Sequence, residues 1–210
     1  MTDASPHDFV INKKIGSGSF GDVYSGLYKK TGEKIAVKRV NKKTLMKYGD
    51  YLINAFWKEI DSMKRCECEN SVRLIKNFET TNNYNIIMEL CDTDLFHILM
   101  TRTTPFTLEE IRKTFQQLNN VFRIMNKNNI IHRDLKLGNI LIKYKDDKCQ
   151  DFIPKLSDYG FSKDLNNNYT STHLGTPATM APEIMMNLPY NEQSDLWSIG
   201  IMMYICYFRD

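Results

Sequence analysis

Asp134, Lys136 and Asn139 place three polar groups within six residues of the string Ile131-His132-Arg133-Asp134-Leu135-Lys136-Leu137-Gly138-Asn139. Ile130-Ile131 before it and Ile140-Leu141-Ile142 after it predict apolar strands that hold the loop rigidly. The three residue types divide one reaction among them. A carboxylate can orient a hydroxyl and accept its proton, an ammonium can neutralise a phosphoryl group in transit, and an amide oxygen can ligate a divalent cation. Asp158 follows Asp134 by 24 residues, at the end of the predicted strand Ile153-Pro154-Lys155-Leu156-Ser157, and offers a hard oxygen for Mg²⁺. Gly160 lets the backbone turn directly after Asp158-Tyr159.

Gly16-Ser17-Gly18-Ser19-Phe20-Gly21-Asp22-Val23 has the spacing G-x-G-x-x-G-x-V. A dinucleotide site would need a helix directly after the glycines, whereas Val23-Tyr24-Ser25-Gly26-Leu27 reads as a strand. Glycines in a strand-turn-strand let backbone N–H groups approach phosphate oxygens, although glycine-rich hairpin turns are also common without that role. Lys38 ends the apolar run Ile35-Ala36-Val37, 17 residues past Gly21. An edge-strand lysine reaching solvent is the bland alternative. A carboxylate partner would make it a phosphate contact, and Glu59 sits beside the apolar stripe of the next predicted helix. Taken alone, Glu59 would be a solvated helix charge.

The elements that position these residues change character along the chain. Phe9, Ile11 and Ile15, then Val23, Ser25 and Leu27, then Ile35-Ala36-Val37 predict a meander of antiparallel hairpins. Leu52, Phe56, Ile60 and Met63 predict a helix from Tyr51 to Arg65. Val72 to Phe78 and Tyr84 to Leu90 read as strands around the Thr-Thr-Asn-Asn turn at 80–83. After Asp92 the period becomes helical. Leu95, Ile98 and Leu99 mark a short helix. Thr107 and Glu110 form a capping box ahead of a stripe of Leu108, Ile111, Phe115, Leu118, Phe122 and Met125. Short strands near 140–143 and 153–157 interrupt the helices, and 143–149 and 166–173 read as polar loops. A β-rich block, a connector and a mainly helical block predict two lobes with a ligand cleft between them.

Composition narrows the classes. The 210 residues, 42% hydrophobic and 25% charged, suit one large domain or two small lobes and exclude wholesale disorder. A net charge of +3 does not point to nucleic acid or an anionic membrane as the main partner. Trp197 to Phe208, the longest mostly apolar stretch, is too short to span a bilayer and reads as a buried helix. The start, MTDASPHDF, lacks a basic cluster and apolar run, so a cytoplasmic or nuclear location is expected. Five cysteines fit reduced thiols better than a disulfide framework, and Cys66 and Cys68 have no second pair with which to build a zinc site.

In this order, the strings resemble the eukaryotic protein kinase family, from about Phe9 to the end of the chain. The resemblance implies an α+β, two-lobe fold: a small antiparallel β lobe with one helix (9–90), a hinge (91–94) and a partial, mainly helical lobe (95–210). It implies that Ile15, Gly16, Ser17, Gly18, Ser19, Phe20, Gly21, Asp22 and Val23 cover ATP. Lys38 would pair with Glu59 and contact the α- and β-phosphates. Asp134 would be the catalytic base and Lys136 would stabilise the phosphoryl group. Asn139 and Asp158 would hold Mg²⁺, with Mn²⁺ as an alternative. Met88 would be the gatekeeper, Glu89 and Cys91 would offer backbone hydrogen bonds to adenine, and Val23, Ala36 and Leu141 would sandwich the ring as well as pack the core.

Arg133 marks kinases whose activation segment is ordered by a phosphate, which the resemblance places on Thr172, with Thr170 and Ser171 as alternatives. Glu183, in Met180-Ala181-Pro182-Glu183, is implied to pair with a later Arg. Asp195, opening the next helix, could bind backbone N–H groups of the catalytic loop. Lys136 and Gly175-Thr176-Pro177 look like the serine/threonine branch. ATP and a protein substrate are the implied partners, without nucleic acid or membrane, and oligomeric state and subfamily stay open. Tyr159 stands where the family has Phe, so its hydroxyl needs a partner or water. Thr179 replaces the usual Tyr.

The family's later helices have no counterpart before Asp210. The expectation is a fragment or truncated product of low solubility, with Ile201, Met202, Met203 and Tyr204 partly exposed. Three functions fit these readings. The first is an active serine/threonine kinase, which the full set of site residues favours. The second is a catalytically impaired, kinase-like ATP-binding or regulatory module, which only the truncation favours. The third is a small-molecule phosphotransferase, against which Lys136 and Ala181-Pro182-Glu183 argue.

Overall fold

Alternating apolar and polar residues build a five-stranded antiparallel sheet from the first part of the chain. A computed structural model describes residues 5–17, 21–47, 50–148, 151–164 and 175–209. The strands are β1 (Phe9–Ser17), β2 (Asp22–Tyr28), β3 (Glu33–Asn41), β4 (Leu74–Glu79) and β5 (Asn83–Glu89), in the order β1-β2-β3-β5-β4. Gly32, at φ 72°, closes the β2–β3 turn in a conformation that costs glycine little. β3 is paired along its length on both sides, to β2 and to β5. Lys38 therefore lies in the sheet interior and the edge-strand alternative does not hold.

Between β3 and β4 run α1 (Lys42–Lys47) and α2 (Asp50–Arg65). The periodicity did not predict α1. Its signal is Asn41, whose Oδ1 accepts the N–H groups of Lys43 and Thr44 as an N-cap does. Helix α2 buries Phe56, Ile60 and Met63, with Leu52 partly buried on the same stripe. The loop after it crosses to the second lobe: Ser71 bridges to Leu156, and the Val72 N–H donates to the Leu156 carbonyl over 2.9 Å.

The second lobe starts with β6 (Thr93–Asp94), which pairs with β8 (Ile140–Tyr144). β8 pairs in turn with β9 (Phe152–Leu156). Thr93 and Asp94, read as connector, thus already belong to this small sheet. Asp94 also caps α3 (Leu95–Thr101) through the His97 N–H. α4 (Leu108–Lys127) begins with the Thr107–Glu110 capping box, both halves of which form. It buries Ile111, Phe115, Leu118, Val121 and Met125, each contributing about 1.5–3 kcal/mol relative to exposure. Leu108, counted on that stripe, is 67% exposed because it sits in the first turn, beyond the core. β7 (Ile130–Ile131) pairs with β10 (Lys163–Asp164), and α5 (Pro182–Met185) and α6 (Gln193–Phe208) follow.

Helix α6 is not the buried helix its composition predicts. Its buried residues are Ser194, Asp195, Ser198, Met202 and Cys206, while Trp197, Tyr204 and Phe208 are exposed. The helix is apolar on all sides but packs on α4 and the 177–179 turn along one stripe only. Met202, expected to be partly exposed, lies on that stripe and is fully buried. No helix among the described residues is long and apolar enough to cross a membrane.

Candidate active site

Lys38 reaches from the centre of β3 to two carboxylates. Its Nζ lies 2.5 Å from Glu59 Oε1 and 3.0 Å from Asp158 Oδ1. Glu59 is on the buried face of α2 and is almost inaccessible, as is Lys38. Burial opposes the ammonium charge, but attraction from Glu59 and Asp158 outweighs it, so Lys38 titrates above the ordinary lysine range. Burial, with Asp158 adding repulsion, raises the Glu59 carboxyl against the pull of Lys38. Glu59 Oε2 is buried without a hydrogen-bond partner among the described residues. Asp158 adopts a left-handed backbone, φ 59°, of a kind that costs about 1–3 kcal/mol and persists where neighbours over-determine it.

Asp134, only 3% exposed, is the hub of a second cluster. Its Oδ2 accepts from Lys136 Nζ at 2.8 Å and from Asn139 Nδ2 at 3.1 Å, and its Oδ1 accepts from Thr176 Oγ1 at 2.6 Å. Lys136 Nζ also donates to Thr176 Oγ1 at 3.2 Å. Asp195, at the start of α6, accepts the backbone N–H groups of His132 and Arg133 at 2.8 and 3.1 Å. Burial raises its carboxyl, against the pull of His132 and these N–H groups. The bonds satisfy donors that the left-handed turn at Arg133, φ 67°, would otherwise leave unpaired.

The two clusters are stitched together. The Ser157 N–H and hydroxyl both donate to the Asn139 carbonyl at 2.9 Å, and His132 Nε2 lies 3.0 Å from the Ser157 carbonyl. Thus the residue before Asp158 is fixed to the loop that carries Asp134. The His132 and Tyr159 rings pack with centroids 5.4 Å apart.

Thr176 was legible in the sequence only as part of a branch-marking string, yet it bonds both Asp134 and Lys136. Gly175 before it has φ 129°, and a Cβ there would collide with the Arg133 carbonyl. Gly175→Ala is therefore expected to destabilise the fold by about 1–3 kcal/mol and to pull Thr176 from Asp134. Denaturant unfolding of the variant beside the native chain measures the first effect.

On the sheet side, Gly16 pairs with Val23 and Ser17 with Asp22, which brings the ends of the glycine hairpin together. Asp22 is held by Lys14 at 2.6 Å. Gly18, Ser19 and Phe20 lie outside the described residues. Gly21 has a steric reason of its own, since a Cβ there would strike the Arg39 carbonyl. Ala36 faces Met88 across β3 and β5. Ala36 is buried, Val23 and Leu141 are half-buried, and Ile15 is exposed. The Glu89 side chain turns to the Arg73 N–H at 2.7 Å and to Lys155 at 3.0 Å. Cys91 is half-buried, and burial, then Glu89, pushes its thiol up to about 12. Glu183 lies half-buried on α5. Thr172, Thr170 and Ser171 fall outside the described residues, as does the whole 166–173 loop.

Chemically, one buried ammonium with two carboxylates stands near one buried carboxylate ringed by a lysine, an amide and a hydroxyl. Comparison with known proteins agrees with that constellation. The family described as Protein kinase domain matches residues 9–210. The chain is 31% identical over 204 residues to serine/threonine-protein kinase 33 of Mus musculus, covering 94% of this chain and 41% of that protein. It is 35% identical over 201 residues to serine/threonine-protein kinase unc-51 of Caenorhabditis elegans, covering 91% and 23%. It is 33% identical over 205 residues to serine/threonine-protein kinase TIO of Arabidopsis thaliana, covering 95% and 14%. The chain thus spans less than half the length of these relatives. With the family match running from the first strand through the last helix, this chain belongs to the protein kinase domain family.

Proposed function

We propose that the chain transfers the γ-phosphate of ATP to serine and threonine hydroxyls of protein substrates. The family generally uses ATP and Mg²⁺ and acts on proteins. The observation that carries the reading for this chain is the Asp134 carboxylate held by Lys136, Asn139 and Thr176, with the Lys38–Glu59–Asp158 group stitched beside it through Ser157.

In this reading the substrate hydroxyl oxygen attacks the γ-phosphorus, the bond to the β–γ bridging oxygen breaks, and ADP departs. Asp134 orients the hydroxyl and takes its proton. Lys136 neutralises charge on the phosphoryl oxygens, and Thr176 keeps the Asp134–Lys136 pair in register. Lys38, steadied by Glu59, holds the α- and β-phosphates. Val23, Ala36, Met88 and Leu141 enclose the adenine, and the backbone of Glu89 and Cys91 bonds its edge. Ile15 to Val23 close over the phosphates. The oxygens of Asn139 and Asp158 are a hard donor pair that suits Mg²⁺, with Mn²⁺ able to replace it. When bound, the metal neutralises phosphate charge. Residues 9–90 act as one lobe and 95–210 as the other, with 91–94 as a hinge whose last two residues are anchored on β8. A phosphate on Thr172 would supply charge for Arg133 to pair with.

Phosphoamino-acid analysis tests the reading. The chain is incubated with Mg²⁺ and γ-labelled ATP, alone and with a basic protein. Label on phosphoserine and phosphothreonine is expected. Label on a small molecule only, or none with ATP bound, would overturn it.

A further inference from the structure

Two buried hydroxyl pairs tie the segment after Asp158 to helix α2 and to the loop that follows it. The Tyr159 hydroxyl lies 2.8 Å from Ser71 Oγ, and Ser62 Oγ lies 2.8 Å from Ser162 Oγ. In each pair either oxygen can be the donor. All four residues are buried, Tyr159 and Ser71 almost completely. Ser62 is three residues past Glu59 on α2, and Ser71 lies in the loop that bridges β9. Ser162 is four residues past Asp158. The turn of α2 bearing Glu59 therefore holds Lys38 and, through it, Asp158. The next turn and the following loop hold what comes directly after Asp158.

A phenyl ring would fill the Tyr159 slot equally well, so the hydroxyl is the distinguishing group. The Cys66 thiol is a second, weaker partner of the phenol. The backbone at Asp158 is left-handed and depends on its surroundings to stay so.

We propose that the Ser71–Tyr159 and Ser62–Ser162 pairs form a latch that holds Asp158 against Lys38 and α2 before nucleotide arrives, making these four side chains positioning residues. If Asp158 is to swing away, Tyr159 must leave its slot, and the buried Ser71 hydroxyl loses its partner. Each latch bond needs both of its hydroxyls, so deleting either one breaks it and deleting the second should add little. Single and double substitutions should therefore be strongly non-additive.

The decisive measurement is amide hydrogen exchange on the full, ligand-free chain. Tyr159→Phe and Ser71→Ala are each expected to speed exchange at residues 159–162 about three- to fivefold, and the double variant to speed it about as much as either single and no more. Ser62→Ala, Ser162→Ala and their double should behave alike. Amides of Leu118 and Val121 in α4 should not change, which separates latch opening from general destabilisation. A kinetic arm rests on the function proposed above. There the single variants raise KM for ATP by no more than the opening ratio, kcat at saturating ATP and Mg²⁺ stays within about twofold, and the double variants raise KM no further than the singles. Doubles that multiply the single effects, or α4 amides that accelerate in step, would overturn the latch. A native chain that transfers no phosphate would overturn the proposed function and leave the exchange arm to decide the latch.

Discussion

Replacing Asp134 with Asn is expected to lower kcat for phosphate transfer about 10²–10⁴-fold, the scale of a lost general base, while ATP affinity stays within about twofold. The split follows from the geometry. Asp134 is bonded to Lys136, Asn139 and Thr176, and none of these bonds runs to Lys38 or Glu59. An Asn amide keeps the volume but has one acceptor oxygen where the carboxylate has two, and three donors point at it. It also cannot take the hydroxyl proton. Steady-state kinetics beside nucleotide binding on the same preparations measures both halves. An equal loss in binding and turnover would mean that Asp134 organises the whole cleft instead of acting on the hydroxyl.

Lys38→Met is the second large effect, and it should appear in stability as well as activity. The substitution keeps the side-chain length and removes an ammonium that bonds both Glu59 and Asp158. Breaking a buried ion pair from one side costs about 3–5 kcal/mol, because the remaining charge is left without compensation. Here two carboxylates remain, so the Glu59 carboxyl, already raised by burial, moves up further. The sign of the pH dependence follows. A carboxyl whose folded pKa exceeds its unfolded one contributes stability that is fully present below the unfolded pKa and lost as pH rises through the folded pKa. The deficit of Lys38→Met should thus shrink in mild acid and widen toward neutral pH. Denaturant unfolding across that range measures it, and a deficit independent of pH would contradict this account. Phosphate transfer should fall with it, since Lys38 is the proposed phosphate contact.

What the sequence revealed and what it concealed divide along physical lines. Strands β1, β2, β3 and β5 were legible because each has enough residues for an alternation to register, and α2 and α4 because their apolar stripes recur over several turns. The Thr107–Glu110 box was legible because a cap is a local event written in neighbouring residues. The six-residue α1 and the two-residue β6 were not, since neither is long enough to show a period. Helix α6 misled because apolarity on every side is compatible with burial on one stripe or on all. The positions of Lys38, Glu59, Asp134, Asn139 and Asp158 were readable as motifs, but their mutual distances depend on packing between elements far apart in the chain. Thr176 and Ser71 were missed as partners for the same reason. The bond from Thr176 to Asp134 spans 42 residues and that from Ser71 to Tyr159 spans 88, and no local pattern records such a meeting. The sequence did pose the question that Ser71 answers, since a buried Tyr159 hydroxyl requires a partner.

The central claim is that Lys38, Asp134, Asn139 and Asp158 form one phosphotransfer site on this chain. The most direct test is the rate at which purified chain moves the γ-phosphate of labelled ATP onto a protein in Mg²⁺, run beside Asp134→Asn with ATP binding measured on both samples. Transfer by the native chain, ATP binding by both, and a rate at least about a hundredfold lower in the variant are expected. Equal label in the two, or ATP bound by the native chain with no transfer, would contradict the claim.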